Sequence, residues 1–175
     1  MSQSRKIPEN HPVKKLFRGL VDRALNQSSL PDKDLLLYLS DLLISFIYVE
    51  NFYKLKDEHG KRLESLVDML EIAVDAPQHR KKDYYQHIGD YSLFTLGMFP
   101  ESLANGRRII SHSYYADTGR KSYLVASGLE RNVESTGVFK KLAEKFERCV
   151  FSLNWVREYI TDPFYRYMLR QFKII

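Results

Sequence analysis

The chain has 175 residues, 27 Lys and Arg against 22 Asp and Glu, a net charge of +5 and 44% apolar residues. That length suits one domain able to bury about 70% of its unfolded surface, so no disulfide is needed to hold it together. The single cysteine, Cys149, cannot form an internal bridge, which fits a reducing compartment. A sequence pI near 9.2 raises nucleic acid or an anionic membrane as partner, but the charge is spread over both halves with no basic tail, and nucleic acid is not expected. The first residues, MSQSRKIPENHP, lack the apolar core of a signal peptide. The most apolar run, 35–49, is broken by Asp41 and is shorter than the ~20 residues of a membrane span. The expectation is a cytoplasmic protein without a transmembrane segment.

Residues 1–10 read as a flexible N-terminus ahead of a single helical domain over 11–175. Pro12 starts the first helix, where its missing N–H costs nothing, and Val13, Leu16, Phe17, Leu20, Ala24 and Leu25 keep amphipathic spacing. The joint 26–33 ends it, and Asp32 or Asp34 can cap the next helix. Helix two, 34–53, is apolar nearly all round, with Asp41 on one stripe with Tyr38 and Ser45, an acid expected to be partly covered. After the joint 54–60, Leu63, Leu66, Val67, Leu70 and Val74 form the narrow stripe of an outer helix. Asp75-Ala76-Pro77 stops it, and the basic residues 78–82 read as a loop.

The stretch 84–99, YYQHIGDYSLFTLGMF, is apolar nearly all round its helical circumference, and a helix of that kind is buried. It reads as the central helix, capped by Asp83. Gly89 and Gly97 each cost about 1 kcal/mol of helix propensity, which a close helix neighbour would explain. From Pro100 to Val125 two helical segments are expected, interrupted at Gly106 and Thr118-Gly119, although 122–126 could pass for a strand. The longest helix is expected over 134–160, on the stripe Val138, Leu142, Phe146, Cys149, Leu153, Val156 and Ile160. Asp162-Pro163 ends it ahead of an aromatic turn, 164–172. The fold class that follows is all-α, a multi-helix bundle of about seven segments around the buried helix 84–99.

His87 and Asp90 stand inside that buried helix. Asp83 and Asp90 both lie within helical reach of the imidazole, so His87 reads either as an oriented base or metal ligand with a carboxylate fixing its tautomer, or as a core histidine satisfied by Asp90 or Tyr91. The Glu-x-x-His pairs of a di-iron carboxylate bundle are absent. A second constellation covers 106–123: if helical throughout, it aligns Arg107, Ser111, Tyr114, Thr118 and Lys121, with Arg108, His112 and Tyr115 beside them. Cations interleaved with tyrosines suit an anion or a planar ligand, or else form a solvated basic face with tyrosines lying over the core edge. Asp117-Thr118-Gly119 and Gly119-Arg120-Lys121-Ser122 lack the context of a protease triplet or a phosphate loop. Cys149, on an apolar stripe, behaves as a small core residue.

The runs HIGDYSLFTLGMFPESL, HPVKKLF and GRKSYLVAS resemble small all-helical proteins found across several bacterial groups. The resemblance implies a single all-helical domain and brings no activity, cofactor or site residue with it.

The leading expectation is a non-catalytic helical domain that binds a partner protein or a small anionic or planar ligand. The binding surface would be the edge of the central helix, with His87 and Asp90, and the face carrying Arg107, Arg108, His112, Tyr114, Tyr115 and Lys121, with no cofactor and no metal. One alternative is a metal- or haem-dependent enzyme built on His87 with Asp90, Asp41 or Glu50; another is weak nucleic-acid binding through a basic surface. Three or more of the His87 group converging on an open pocket would favour chemistry, and a sealed His87–Asp90 pair would favour structure.

Overall fold

A computed structural model describes residues 7–103 and 111–160 together with Pro163, Arg166, Tyr167 and Arg170. Among the described residues the chain forms eight α-helices and one 3₁₀ turn: α1 (Pro12–Gln27), α2 (Lys33–Phe46), α3 (Val49–Phe52), α4 (Leu66–Asp75), α5 (Gln78–Met98), the turn Pro100–Leu103, α6 (His112–Leu129), α7 (Val133–Glu144) and α8 (Phe146–Tyr159). The expected all-α bundle around a central buried helix is therefore the architecture found.

Local chemistry accounts for most helix starts. Asp32 accepts the N–H groups of Asp34 and Leu35 ahead of α2, while Ser65, Ser111 and Asn132 cap α4, α6 and α7 by accepting one N–H each. Such side chains satisfy donors that have no partner inside a helix. Between α3 and α4 a tight turn is closed by an isolated antiparallel bridge from Lys56 to Arg62. The Asp57 carboxylate accepts the His59 and Lys61 N–H groups there, and Gly60 takes a positive φ of 77°, which costs glycine little. Ahead of α1, Ile7 packs on the core and Glu9 pairs with Lys14 and Arg18.

Several expected boundaries move. The helix foreseen over 34–53 ends at Phe46, because Tyr48 leaves the helical region at φ −86° and ψ 113°, and the Asn51 side chain donates to the freed Ser45 carbonyl at 2.9 Å. The helix foreseen over 134–160 is two helices meeting at Lys145, which sits at φ −109° and ψ 19°. The bend lets α7 pack on α6 and α2 while α8 packs on α5 and α1. The basic residues 78–82 are the first turns of α5, whose N-cap is Pro77, so Asp83 lies within the helix and caps nothing. Thr118-Gly119 and 122–126 both lie inside α6. Gly106, Asp162 and most of 164–172 lie outside the described residues.

Every residue of α5 from His87 to Met98 is buried. This helix packs extensively on α6 and α8, also on α4, and only sparsely on α2. The glycines explain the closeness. A Cβ on Gly97 would lie 2.5 Å from Cβ of Leu153 in α8, and one on Gly89 would lie 2.7 Å from the Tyr123 ring in α6. The close contacts expected at Gly89 and Gly97 are thus present, with a side chain rather than a second backbone filling each notch. Gly119 of α6 works the same way, receiving Phe146. Among the described residues no helix is long and apolar enough to cross a membrane.

Candidate functional site

Where α5 meets α2 only sparsely, a cleft of about 740 Å³ opens, lined from α2 by Tyr38, Asp41, Leu42, Ser45 and Phe46, from the 50–62 segment by Glu50, Tyr53, Lys54, Lys56 and Arg62, and from α5 by Arg80, Gln86, His87 and Asp90. The floor comes from the buried helix and the rim from exposed termini and a turn. That is why a cleft rich in charge can sit directly on the core.

At the floor, Asp90 is 8% exposed and its Oδ1 accepts two hydroxyl protons, from Tyr38 at 2.6 Å and Tyr123 at 2.7 Å. The Gln86 amide donates in turn to the Tyr38 hydroxyl at 3.2 Å. Burial pushes the Asp90 carboxyl up to about 6, against the two tyrosine hydrogen bonds and the charge of Lys54, which lower it. Removal from water disfavours the ionised form, and hydrogen bonds to that form oppose the shift. The same burial and the neighbouring carboxylate push both tyrosines well above the usual phenol range, so they act as fixed donors.

His87 is 1% exposed. The ring hydrogen-bonds the Phe52 backbone carbonyl, and because Nε2 has no hydrogen-bond partner among the described residues, that bond uses Nδ1. A neutral imidazole has one donor and one acceptor, so Nε2 presents an unshared lone pair. Burial, with help from the Lys54 charge, holds the ring well below the ordinary histidine range. Buried polar atoms are nearly always paired, and His87 is the cleft-lining residue that departs from this among the described residues. The direct His87–Asp90 pairing expected from helical spacing is replaced by separate partners: Phe52 reaches the imidazole from α3, and the tyrosines of α2 and α6 reach the carboxylate. Asp83 is exposed and pairs with Lys82.

The four groups named for chemistry, His87, Asp90, Asp41 and Glu50, all line this one cleft. Among the described residues no three His, Cys, Asp or Glu side chains are placed to hold a metal ion. Asp41 is exposed at the rim, where partial desolvation raises its carboxyl and the Lys14 and Arg18 charges of α1 counter the shift.

The second predicted face is divided. Arg107 and Arg108 lie outside the described residues. Ser111 is extended, at φ −70° and ψ 144°, and begins α6, so no continuous helix joins them to Lys121. His112, Tyr114 and Lys121 are exposed, but Tyr115 is buried at 5%. It falls on the stripe Tyr115, Gly119, Ser122 and Ala126 that turns toward the core, and the Ser92 hydroxyl donates to its carbonyl. The exposed patch expected to include Tyr115 is therefore not formed as drawn.

Sequence reasoning missed Tyr38, Tyr123, Lys54, Arg62 and Arg80 as site groups. Tyr38 shares a stripe with Asp41 and could have been read. Tyr123 reaches Asp90 across 33 positions, and no local pattern announces that.

No protein family, curated protein or solved structure matches the chain.

Proposed function

We propose that this chain is a helical binding domain whose ligand is a small anionic molecule held in the cleft above His87 and Asp90. One observation carries the reading: His87, a fully buried residue whose Nε2 has no partner among the described residues, lines a cavity large enough for a small organic molecule. Leaving such a group unpaired costs about 1–3 kcal/mol, a loss that a bound partner removes. The charge of the ligand follows from the rim, where Lys54, Lys56, Arg62 and Arg80 stand against Asp41 and Glu50. Concave, partly apolar sites with a few convergent polar groups are the usual form of small-molecule sites.

The test is native mass spectrometry of protein purified from its own host, beside the variant Ser45→Trp, which places a bulky side chain at a lining position of the cleft and leaves the His87 residue itself unchanged. A small-molecule adduct retained by the wild type and absent from the variant is the expected result. Retention of the same adduct by both, or none by either, overturns the reading.

A further inference from the structure

The donors and acceptors of the cleft narrow its ligand further. At the floor, the imidazole N–H is committed to the Phe52 carbonyl, and Nε2, closed to solvent, is an acceptor without a partner among the described residues. The hydroxyl protons of Tyr38 and Tyr123 are committed to Asp90, so the deep end offers acceptors while its hydroxyl donors are spent. The mouth is the reverse. None of Lys54, Lys56, Arg62 or Arg80 forms an ion pair with a described residue. Arg62 lies 5.6 Å over the Tyr53 ring and Arg80 lies 5.3 Å over the Tyr84 ring, contacts that leave guanidinium edges available for hydrogen bonds. Of the two rim acids, Asp41 stands in the field of Lys14 and Arg18, and the four rim cations outnumber the pair. Between the two ends the wall is Leu42, Phe46 and Tyr53, with the Phe46 ring 6.0 Å from the imidazole in an edge arrangement.

We infer that the cleft takes a small planar organic acid bearing a hydroxyl or N–H donor at the end opposite its negative charge, the donor bonding Nε2 of His87 and the acid group lying among Lys54, Arg62 and Arg80. The inference rests on the cleft being the ligand site. A floor of acceptors selects a donor, because an acceptor or a methyl group placed against Nε2 leaves that nitrogen unpaired, and sites built this way discriminate strongly.

Isothermal titration of the intact protein with para-hydroxybenzoate, benzoate, para-methoxybenzoate and para-hydroxybenzyl alcohol tests it without any mutation. The hydroxy acid should bind roughly tenfold tighter than benzoate, the factor expected for one hydrogen bond to a buried acceptor. The methoxy acid should be weaker than benzoate, since it sets an acceptor against an acceptor. The alcohol, lacking the charge, should bind weakly and without the salt dependence of the acids. His87→Phe keeps a planar ring in place and should bring the ratio of hydroxybenzoate to benzoate affinity close to one. Equal binding of hydroxybenzoate and benzoate, both lost in Ser45→Trp, would leave the cleft as the site and overturn the donor inference. Binding of none of the three acids, or binding unaffected by Ser45→Trp, overturns the planar-acid inference, while the retained-adduct experiment judges the cleft separately.

Discussion

The two sides of α5 solve opposite problems with adjacent residues. Toward α6 and α8 the helix is sealed: Gly89 receives the Tyr123 ring, Gly97 receives Leu153, and Ser92 donates to the Tyr115 carbonyl. Toward α2 the packing is sparse, and His87, Asp90 and Gln86 line a cleft that only side chains of α2, Tyr38 and Phe46, reach across. Tyr123 joins the two sides, since its ring fills the Gly89 notch and its hydroxyl holds the Asp90 carboxylate. Ser92 and Asp90 are paired inside this core, whereas Thr95, Ser122 and His87 keep buried polar atoms without a partner among the described residues. Stability should depend on the sealed side and binding on the open one.

The largest effect should come from the sealed side. Gly97→Leu drives a branched side chain into Leu153, whose Cβ is already within 2.5 Å of where a new Cβ would stand, and overpacking of a tight core costs about 1–3 kcal/mol even for small additions. A loss of more than about 3 kcal/mol in urea denaturation, or no folding at all, is expected, against a propensity gain of about 1 kcal/mol. Gly19→Ala supplies the contrast. Among the described residues nothing lies within 4 Å of a Cβ at Gly19 in α1, so the same propensity gain should appear as stabilisation of up to about 1 kcal/mol. If Gly97→Ala were also stabilising, the seal would be looser than these contacts require.

Acid titration separates the two groups of the open side. The imidazole of His87 lies well below its ordinary range when folded, so below pH 6.5 the unfolded chain binds the extra proton and stability falls as pH drops. Asp90 runs the other way: with a folded value of about 6 against 3.8, the folded chain binds more protons in that window, and stability rises as pH falls through it. A difference of that size is worth about 3 kcal/mol. The two contributions oppose each other between about pH 6 and 4. Asp90→Asn removes one and leaves the other, so its stability should fall on acidification more steeply than that of wild type, by up to about 3 kcal/mol across the window. His87→Phe should instead become relatively more stable toward acid. Parallel stability curves for wild type and Asp90→Asn would mean that Asp90 titrates as an ordinary exposed carboxyl.

Much of the sealed side could be read in the chain, and little of the open one. The burial of 84–99 follows from its apolar circumference, and the propensity cost of Gly89 and Gly97 pointed to close neighbours. Helical spacing also placed Asp90 near His87, but spacing says which groups can meet and not which partner wins. The winners, Phe52, Tyr38 and Tyr123, come from three other helices. The breaks at Ile47-Tyr48 and Lys145 were hidden because apolar periodicity continues across both. Tyr115 was misplaced because the aligned stripe was projected through Ser111, an N-cap that resets the helical phase. The cleft itself depends on α2 standing away from α5, which is a tertiary fact.

The hydroxyl that joins the two sides should carry an intermediate effect. Tyr123→Phe keeps the ring in the Gly89 notch and removes one of two donors to a buried carboxylate, a change worth about 1–3 kcal/mol where a charged group is involved. Asp90 then loses a bond that lowers its proton affinity, so the carboxyl should titrate higher still, visible in a carboxyl NMR titration. A stability loss without that upward movement would assign Tyr123 to packing alone.

The smallest effect on stability should come from the rim. Lys54 is exposed and forms no ion pair with a described residue, and surface changes away from special features stay within about 0.5 kcal/mol. Its charge nevertheless reaches the floor, lowering the proton affinity of both His87 and Asp90. Lys54→Ala should therefore leave the urea midpoint nearly unchanged while both groups move upward in an NMR titration. High salt should produce part of the same movement in the wild type and little in the variant, because screening acts on the exposed charge. A variant that melts like wild type with both titrations unmoved would place Lys54 away from the floor and would remove the cation nearest the buried end of the cleft.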